Sequence, residues 1–226
     1  HAPGTPFALS PGMAIRRIFW TAMFGLSGLI VWNTLPYFSF GTNFAFLVEK
    51  GDLAFQRVWR GAFYTHVAGG ILCLVAGPFL LWEGLLRRSR RLHRGIGKLY
   101  VLAALGLAGP TGLYLAFHAK GGFPAQSSFL VLGILWMATT TLGLRRAMAG
   151  RIPEHRRWMM RSYALALSAV FFRLFHLALA LGGVGESTNY AASLWLSLAT
   201  SLAVGEFMAR RVPAAPLVHP AFGGVS

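Results

Sequence analysis

The sequence predicts an all-α protein, a polytopic transmembrane helical bundle of about six spans with both termini cytoplasmic. Three observations carry this. Hydrophobic residues fill 55% of the 226 positions and charged residues only 12%, which leaves too little polar surface to coat a soluble domain of this size. The apolar residues fall in runs close to the ~20 residues needed to cross a hydrocarbon core of ~30 Å. The basic residues, 21 Lys and Arg against 6 Asp and Glu, stand in short tracts between those runs. That placement is the positive-inside pattern rather than a basic face for nucleic acid, so nucleic acid is excluded as a partner.

Residues 1–13 form a polar to mixed, Pro-rich segment ahead of a single membrane domain over 14–211. The chain does not begin with Met, so either Met13 is a natural start behind added residues or the N-terminus is processed. Arg16-Arg17 leads into a first span over about 14–36, ended by Pro36-Tyr37. No small-residue cleavage site follows it, so it reads as an uncleaved signal anchor. Residues 37–60 make a longer connection. Within it, Phe44 to Trp59 interleaves Phe, Leu and Val with Glu49, Lys50, Asp52 and Arg57, the pattern of a short amphipathic helix lying in the interface. The second span covers about 61–86, the third 96–119, the fourth 127–148, the fifth 158–183 and the sixth 189–209. The tail, 212–226, is rich in Pro, Gly and Ala and is expected to be weakly ordered.

Orientation follows from counting Lys and Arg. The edge with both termini and the 87–98 and 145–161 loops holds 16, and the opposite edge holds Lys50, Arg57, Arg60 and Lys120. Arg173 alone stays within a span. A charge there is costly without a partner or a task. The single cysteine, Cys73, lies in an apolar run, so no intrachain disulfide and no cysteine-based metal site is available. No phosphate loop, dinucleotide fingerprint, zinc-protease motif or nucleophile elbow occurs.

Helical spacing gathers candidate site residues. His66, Gly70, Cys73 and Gly77 share one face of the second span. Ala104, Ala108, Thr111, Leu115 and His118 share a face of the third, and Ser162, Ala166, Ala169, Arg173 and His176 share one of the fifth. Small faces let helices approach closely in lipid. If these meet, His66, His118 and His176 converge at the outer end of the bundle. His66 and His176 would then supply the two axial ligands of a b-type haem iron, with Arg173 on a propionate or a quinone oxygen. A zinc or copper ion is the other use of all three histidines. Against this stands a plainer reading, in which a histidine near a helix end reaches interfacial water or a carbonyl and Arg173 snorkels. At the basic edge, His93, His155, Arg156 and Arg161 are candidates for contact with anionic lipid headgroups or a partner protein. Glu83, ahead of Arg87-Arg88, reads as a member of an interfacial ion pair.

Several strings look familiar together: His66 ahead of Gly69-Gly70 and Gly77-Pro78-Phe79, then Leu92-His93-Arg94-Gly95-Ile96-Gly97-Lys98-Leu99-Tyr100, then Gly112-Leu113-Tyr114-Leu115-Ala116. His155-Arg156-Arg157-Trp158-Met159, Arg161-Ser162-Tyr163-Ala164-Leu165 and Arg173-Leu174 complete the set. The pattern resembles a bacterial family of multi-pass membrane proteins known only as a domain of unknown function, over about residues 63–176. The resemblance implies a membrane location and weight on His66, His93, His155, Arg161, Tyr163 and Arg173, and it implies no activity. From the residues, the expected role is a b-haem- or quinone-linked redox subunit of the bacterial inner membrane with its site at the outer leaflet. The runner-up is a non-enzymatic subunit of a larger membrane complex.

Overall fold

The computed structural model describes residues 11–41 and 43–213, and among these it is predominantly helical with no strand. Ten α-helices follow in order: α1 Pro11–Thr34, α2 Ala45–Glu49, α3 Arg57–Leu81, α4 Glu83–Arg88, α5 Arg90–Leu102, α6 Gly109–Ala116, α7 Gly122–Met148, α8 Ile152–Ala166, α9 Ser168–Leu181 and α10 Glu186–Arg210. A π-helical segment, Ala103–Ala108, joins α5 to α6 without a break. Among the described residues, five stretches are long and apolar enough to cross a membrane: Arg57–Leu81, Arg90–Ala116, Gly122–Met148, Ile152–Leu181 and Glu186–Arg210. They match the second to sixth predicted spans. The first predicted span, 14–36, is helical as α1 but is not among the five, and the side chains of residues 11–20 lie outside those described. Residues 1–10 and 214–226, most of the expected N-terminal segment and tail, also lie outside the described residues.

Each boundary has a local cause. Pro36 ends α1 in a 3-10 turn, Leu35–Ser39, because a proline inside the helix would lack its N–H and clash with the preceding turn. The predicted interfacial helix Phe44 to Trp59 is in fact three pieces. Gly51, at φ +53°, breaks it after α2, and Gln56 is extended ahead of α3. The second span therefore starts at Arg57, and Trp59 belongs to it. The Ser89 side chain caps α5 by accepting from the Leu92 N–H at 3.2 Å, which draws the Arg90-Arg91 tract into the helix. The fifth span is interrupted at Leu167, where α8 ends and α9 restarts.

The core lies where small faces meet. The position of a Gly77 Cβ is taken by the Tyr163 ring, and a Cβ on Gly69 would sit 2.9 Å from the Ala108 nitrogen. At the centre Tyr100 and Tyr163 are almost fully buried, at 1% and 2% exposure. Their hydroxyls are used. Tyr100 Oη bonds Ser162 Oγ at 2.9 Å, Ser162 Oγ bonds Thr140 Oγ1 at 2.7 Å, and Trp136 Nε1 donates to Tyr100 Oη at 3.4 Å. Buried polar groups in a bundle persist when they satisfy one another.

Candidate functional site

Trp59, Phe63, His66, Gly70 and Leu74 follow one face of α3 at steps of three and four, and all five line a cavity of about 360 Å³. The opposing walls come from the π segment and α6, from α7, from the α8–α9 junction and from α10. Phe46 of α2 and the adjoining Lys50 close the end away from the basic edge. The volume is within the ~300–1,000 Å³ common for small-molecule sites, and the lining is mostly apolar with a few polar groups.

Those polar groups are arranged with atoms to spare. His66 Nδ1 lies 2.8 Å from the Ala108 carbonyl. A carbonyl only accepts, so this network assigns the proton to Nδ1 and leaves a lone pair on Nε2 of the neutral ring. Among the described residues no protein hydrogen bond reaches that Nε2. The seat depends on Gly112, where a Cβ would stand 2.8 Å from the imidazole Cε1 and Nδ1. The carbonyl is offered from an irregular stretch. The π turn shifts the ladder, Pro110 removes a donor, and the Leu107 carbonyl takes the Thr111 hydroxyl at 2.6 Å. His118 repeats the arrangement with Nδ1 3.2 Å from the Tyr114 carbonyl, and its own carbonyl accepts from Lys50 Nζ at 2.7 Å. Trp59 is 1% exposed, and its indole N–H has no partner among the described residues. Leaving such a donor buried and unpaired costs about 1–3 kcal/mol. Arg173 stands at the rim, its Nη1 donating to the Ala169 carbonyl at 2.8 Å.

The expected outer cluster is thus brought together in part. His66, His118 and Arg173 share the cavity, and His176 does not line it. The His176 ring stacks on Phe172 at 5.5 Å, and its Nε2 is 3.8 Å from Glu186. Both Phe172 and the neighbouring Tyr190 line the cavity, so His176 stands one layer behind. The face drawn through Ala166 continues past the turn at Leu167 to Ala169 and Arg173, which line the cavity, and only His176, the next position along it, leaves the lining. Among the described residues no group of three His, Cys, Asp or Glu side chains is placed to hold a metal ion, so the three-histidine zinc or copper site does not form.

At the basic edge three of the four candidate lipid or partner contacts have partners within the chain. His155 Nδ1 is 2.8 Å from the Gly143 carbonyl, and Arg156 pairs with Glu83 at 3.2 Å. Arg161 reaches Glu206 at 2.8 Å and lies 4.8 Å over the Trp158 ring. His93 keeps a buried Nδ1 with no partner among the described residues. Glu83 is the interfacial ion-pair member expected, joined also to Arg87 at 3.2 Å. Sequence reasoning missed Trp59 and Gly112 as site residues. The α3 periodicity holds the signal for Trp59, once the helix is started at Arg57 rather than 61.

Comparison with curated proteins and with solved structures finds no match. A family model described as "Predicted membrane protein (DUF2306)" matches residues 63–209. The match runs from the cavity face of α3 to the end of α10, beyond the 63–176 stretch in which the resemblance is visible by eye, and the chain belongs to this family of membrane proteins.

Proposed function

We propose that this chain is a multi-pass protein of the bacterial inner membrane and a quinone-linked redox subunit, binding the ring head of a quinone-class molecule in the outer cavity. The observation behind the reading is His66, whose Nδ1 proton is spent on the Ala108 carbonyl while Nε2 keeps its lone pair. A quinol hydroxyl donates to that Nε2, and the Trp59 indole adds to the aromatic lining beside it. Phe63, Leu115 and Leu194 supply apolar walls for the ring. When a quinol is oxidised, His66 is the side chain positioned to accept one of its two protons, the other passes to water at the cavity mouth, and the two electrons leave to a separate carrier in the membrane.

Haem is the neighbouring possibility, and the residues answer it unevenly. His66 has the chemistry of an axial ligand, with Nδ1–H on a carbonyl and Nε2 free. His176, the expected second ligand, lies behind Phe172 with its Nε2 toward Glu186, so the His66–His176 pair does not fit a haem.

The test is a titration of detergent-purified protein with a short-chain quinone, following the fluorescence of Trp59 and Trp136, which both line the cavity. Saturable quenching, weakened at least about tenfold in His66→Leu, is the expected result, equal to about 1.4 kcal/mol of lost binding. Non-saturable quenching that is identical in the two proteins would sink the reading. Oxidised and dithionite-reduced absorption spectra of the same sample address haem directly, and a Soret band abolished by His66→Leu would put haem in place of quinone.

A further inference from the structure

Arg173 is a positive charge inside a membrane-length helix with no carboxylate set against it. All six acidic residues of the chain are described, and none of them pairs with it. Glu49 and Glu186 pair with Lys120, Glu83 with Arg87 and Arg156, Glu154 with Arg146 and Arg151, and Glu206 with Arg161 and Arg210. Asp52 makes no ion pair among the described residues. The bond from Arg173 to Ala169 turns back on its own helix and uses one of five guanidinium donors. Arginine in lipid is retained when it meets a counter-charge or a polar cavity.

Two surroundings of this side chain indicate which counter-charge. Besides the cavity, Arg173 borders an apolar groove of about 60 Å³ between α1 and α9, lined by Leu26, Leu29, Ile30 and Asn33 on one side and Val170 and Leu174 on the other. Leu29 and Leu174 are 56% and 46% exposed, so the groove opens to the lipid. Asn33 is the penultimate residue of α1, so the groove runs from that helix end about 10 Å inward to Leu26 at 1.5 Å per residue. The second surrounding is Tyr37, half-buried just beyond α1. Burial raises its pKa, and the positive charge of Arg173 lowers it.

We propose that the seam between α1 and α9 binds an anionic phospholipid, its phosphate on Arg173 and the start of one acyl chain along Leu26, Leu29, Ile30 and Leu174. A cation at the end of a lipid-facing apolar groove is complementary to an amphiphile with an acidic head. A neutral quinone leaves the charge unmatched, and a free phosphate leaves the groove unused. The inference does not depend on what fills the cavity, because the groove lies on the other flank of Arg173.

The experiment delipidates the full-length protein in detergent and adds short-chain phosphatidylglycerol or phosphatidylcholine. Bound lipids are counted by native mass spectrometry, and the thermal midpoint is followed in parallel. The expected result is one more phosphatidylglycerol retained by the wild type than by Arg173→Gln, and an upward shift of the midpoint with phosphatidylglycerol that Arg173→Gln loses. Arg91→Gln, an exposed position on the basic edge, serves as the control and keeps both. If Arg173→Gln does not fold, Leu29→Trp blocks the groove from its exposed side and should lose the same lipid. An unchanged lipid count in the folded variant, an equal loss in Arg91→Gln, or an equal midpoint shift with inorganic phosphate alone would each overturn the proposal.

Discussion

Gly70 and Gly77 lie two turns apart on one face of α3, and nothing else about them is alike. The Tyr163 ring occupies the space that a Cβ on Gly77 would need, whereas a Cβ on Gly70 meets nothing within 4 Å. The difference extends to the polar groups nearby. Toward the basic edge, Tyr100, Ser162, Thr140 and Trp136 bond one another, and Tyr163 Oη reaches Ser27 at 3.5 Å and the Leu74 carbonyl at 3.4 Å. Toward the other edge, His66 borders open space with an acceptor unspent, and the Trp59 N–H is buried without a partner among the described residues. In a bilayer the polar groups of a bundle have little water to fall back on. Those that bond each other hold helices together, and those left over beside a void mark where something else binds.

The largest effect that can break this comparison is at Gly77. Gly77→Ala pushes a methyl into Tyr163, and overpacking of this kind costs about 1–3 kcal/mol. The expected outcome is a clear fall in the thermal midpoint in detergent. Gly70→Ala should leave the midpoint unchanged and lower only ligand binding. Equal losses from the two substitutions would mean that the two halves are packed alike.

Next in size is a pair of polar deletions. Tyr100→Phe removes the hydroxyl that joins Ser162 to Trp136, and the expected loss is about 1 kcal/mol of stability with quinone binding intact. His66→Leu should do the reverse, weakening binding while the midpoint holds or rises. The measurement is chemical denaturation beside fluorescence titration on the same preparations. A shared pattern for the two variants would erase the division into a structural half and a binding half.

Much of this was legible in the chain, and the failures are specific. The predicted 127–148 and 189–209 spans sit within α7 and α10, because apolar run length and basic flanks respond directly to the bilayer. The meeting of the His66 face with the Ala108 face was also legible, since small residues at helical spacing are what close approach requires. The position of His176 was not, because the face holds only as far as Arg173, and spacing within one helix cannot show that Phe172 rather than His176 takes the cavity wall. Trp59 was hidden by Arg57 and Arg60, which look interfacial and in fact open a spanning helix. The Tyr100–Ser162–Thr140 set joins three helices, and periodicity within a single helix cannot say which hydroxyls will meet.

The smallest effect concerns the lid on the open half. Lys120 Nζ lies 3.2 Å from Glu49 and 3.3 Å from Glu186, and 4.8 Å over the Tyr190 ring. With the bond from Lys50 to the His118 carbonyl, this ties α2 across the mouth of the cavity. Burial lowers the Lys120 pKa, but its bonds and charge interactions with Glu49 and Glu186 outweigh that and leave it above the usual 10.5. A lysine raised in the folded state stabilises that state fully below its ordinary pKa, and the contribution fades as pH rises through the raised value. The latch should therefore be constant through neutral pH and weaken only above about 10.5. Surface ion pairs contribute little individually, so the change should appear in access rather than in global stability. Acrylamide quenching of Trp59 should rise in that alkaline window in the wild type, and Lys120→Met should show the raised quenching already at neutral pH. A Lys120→Met protein with wild-type quenching at neutral pH would show that the apolar contacts of Phe46 and Leu47 hold α2 in place without the ion pairs.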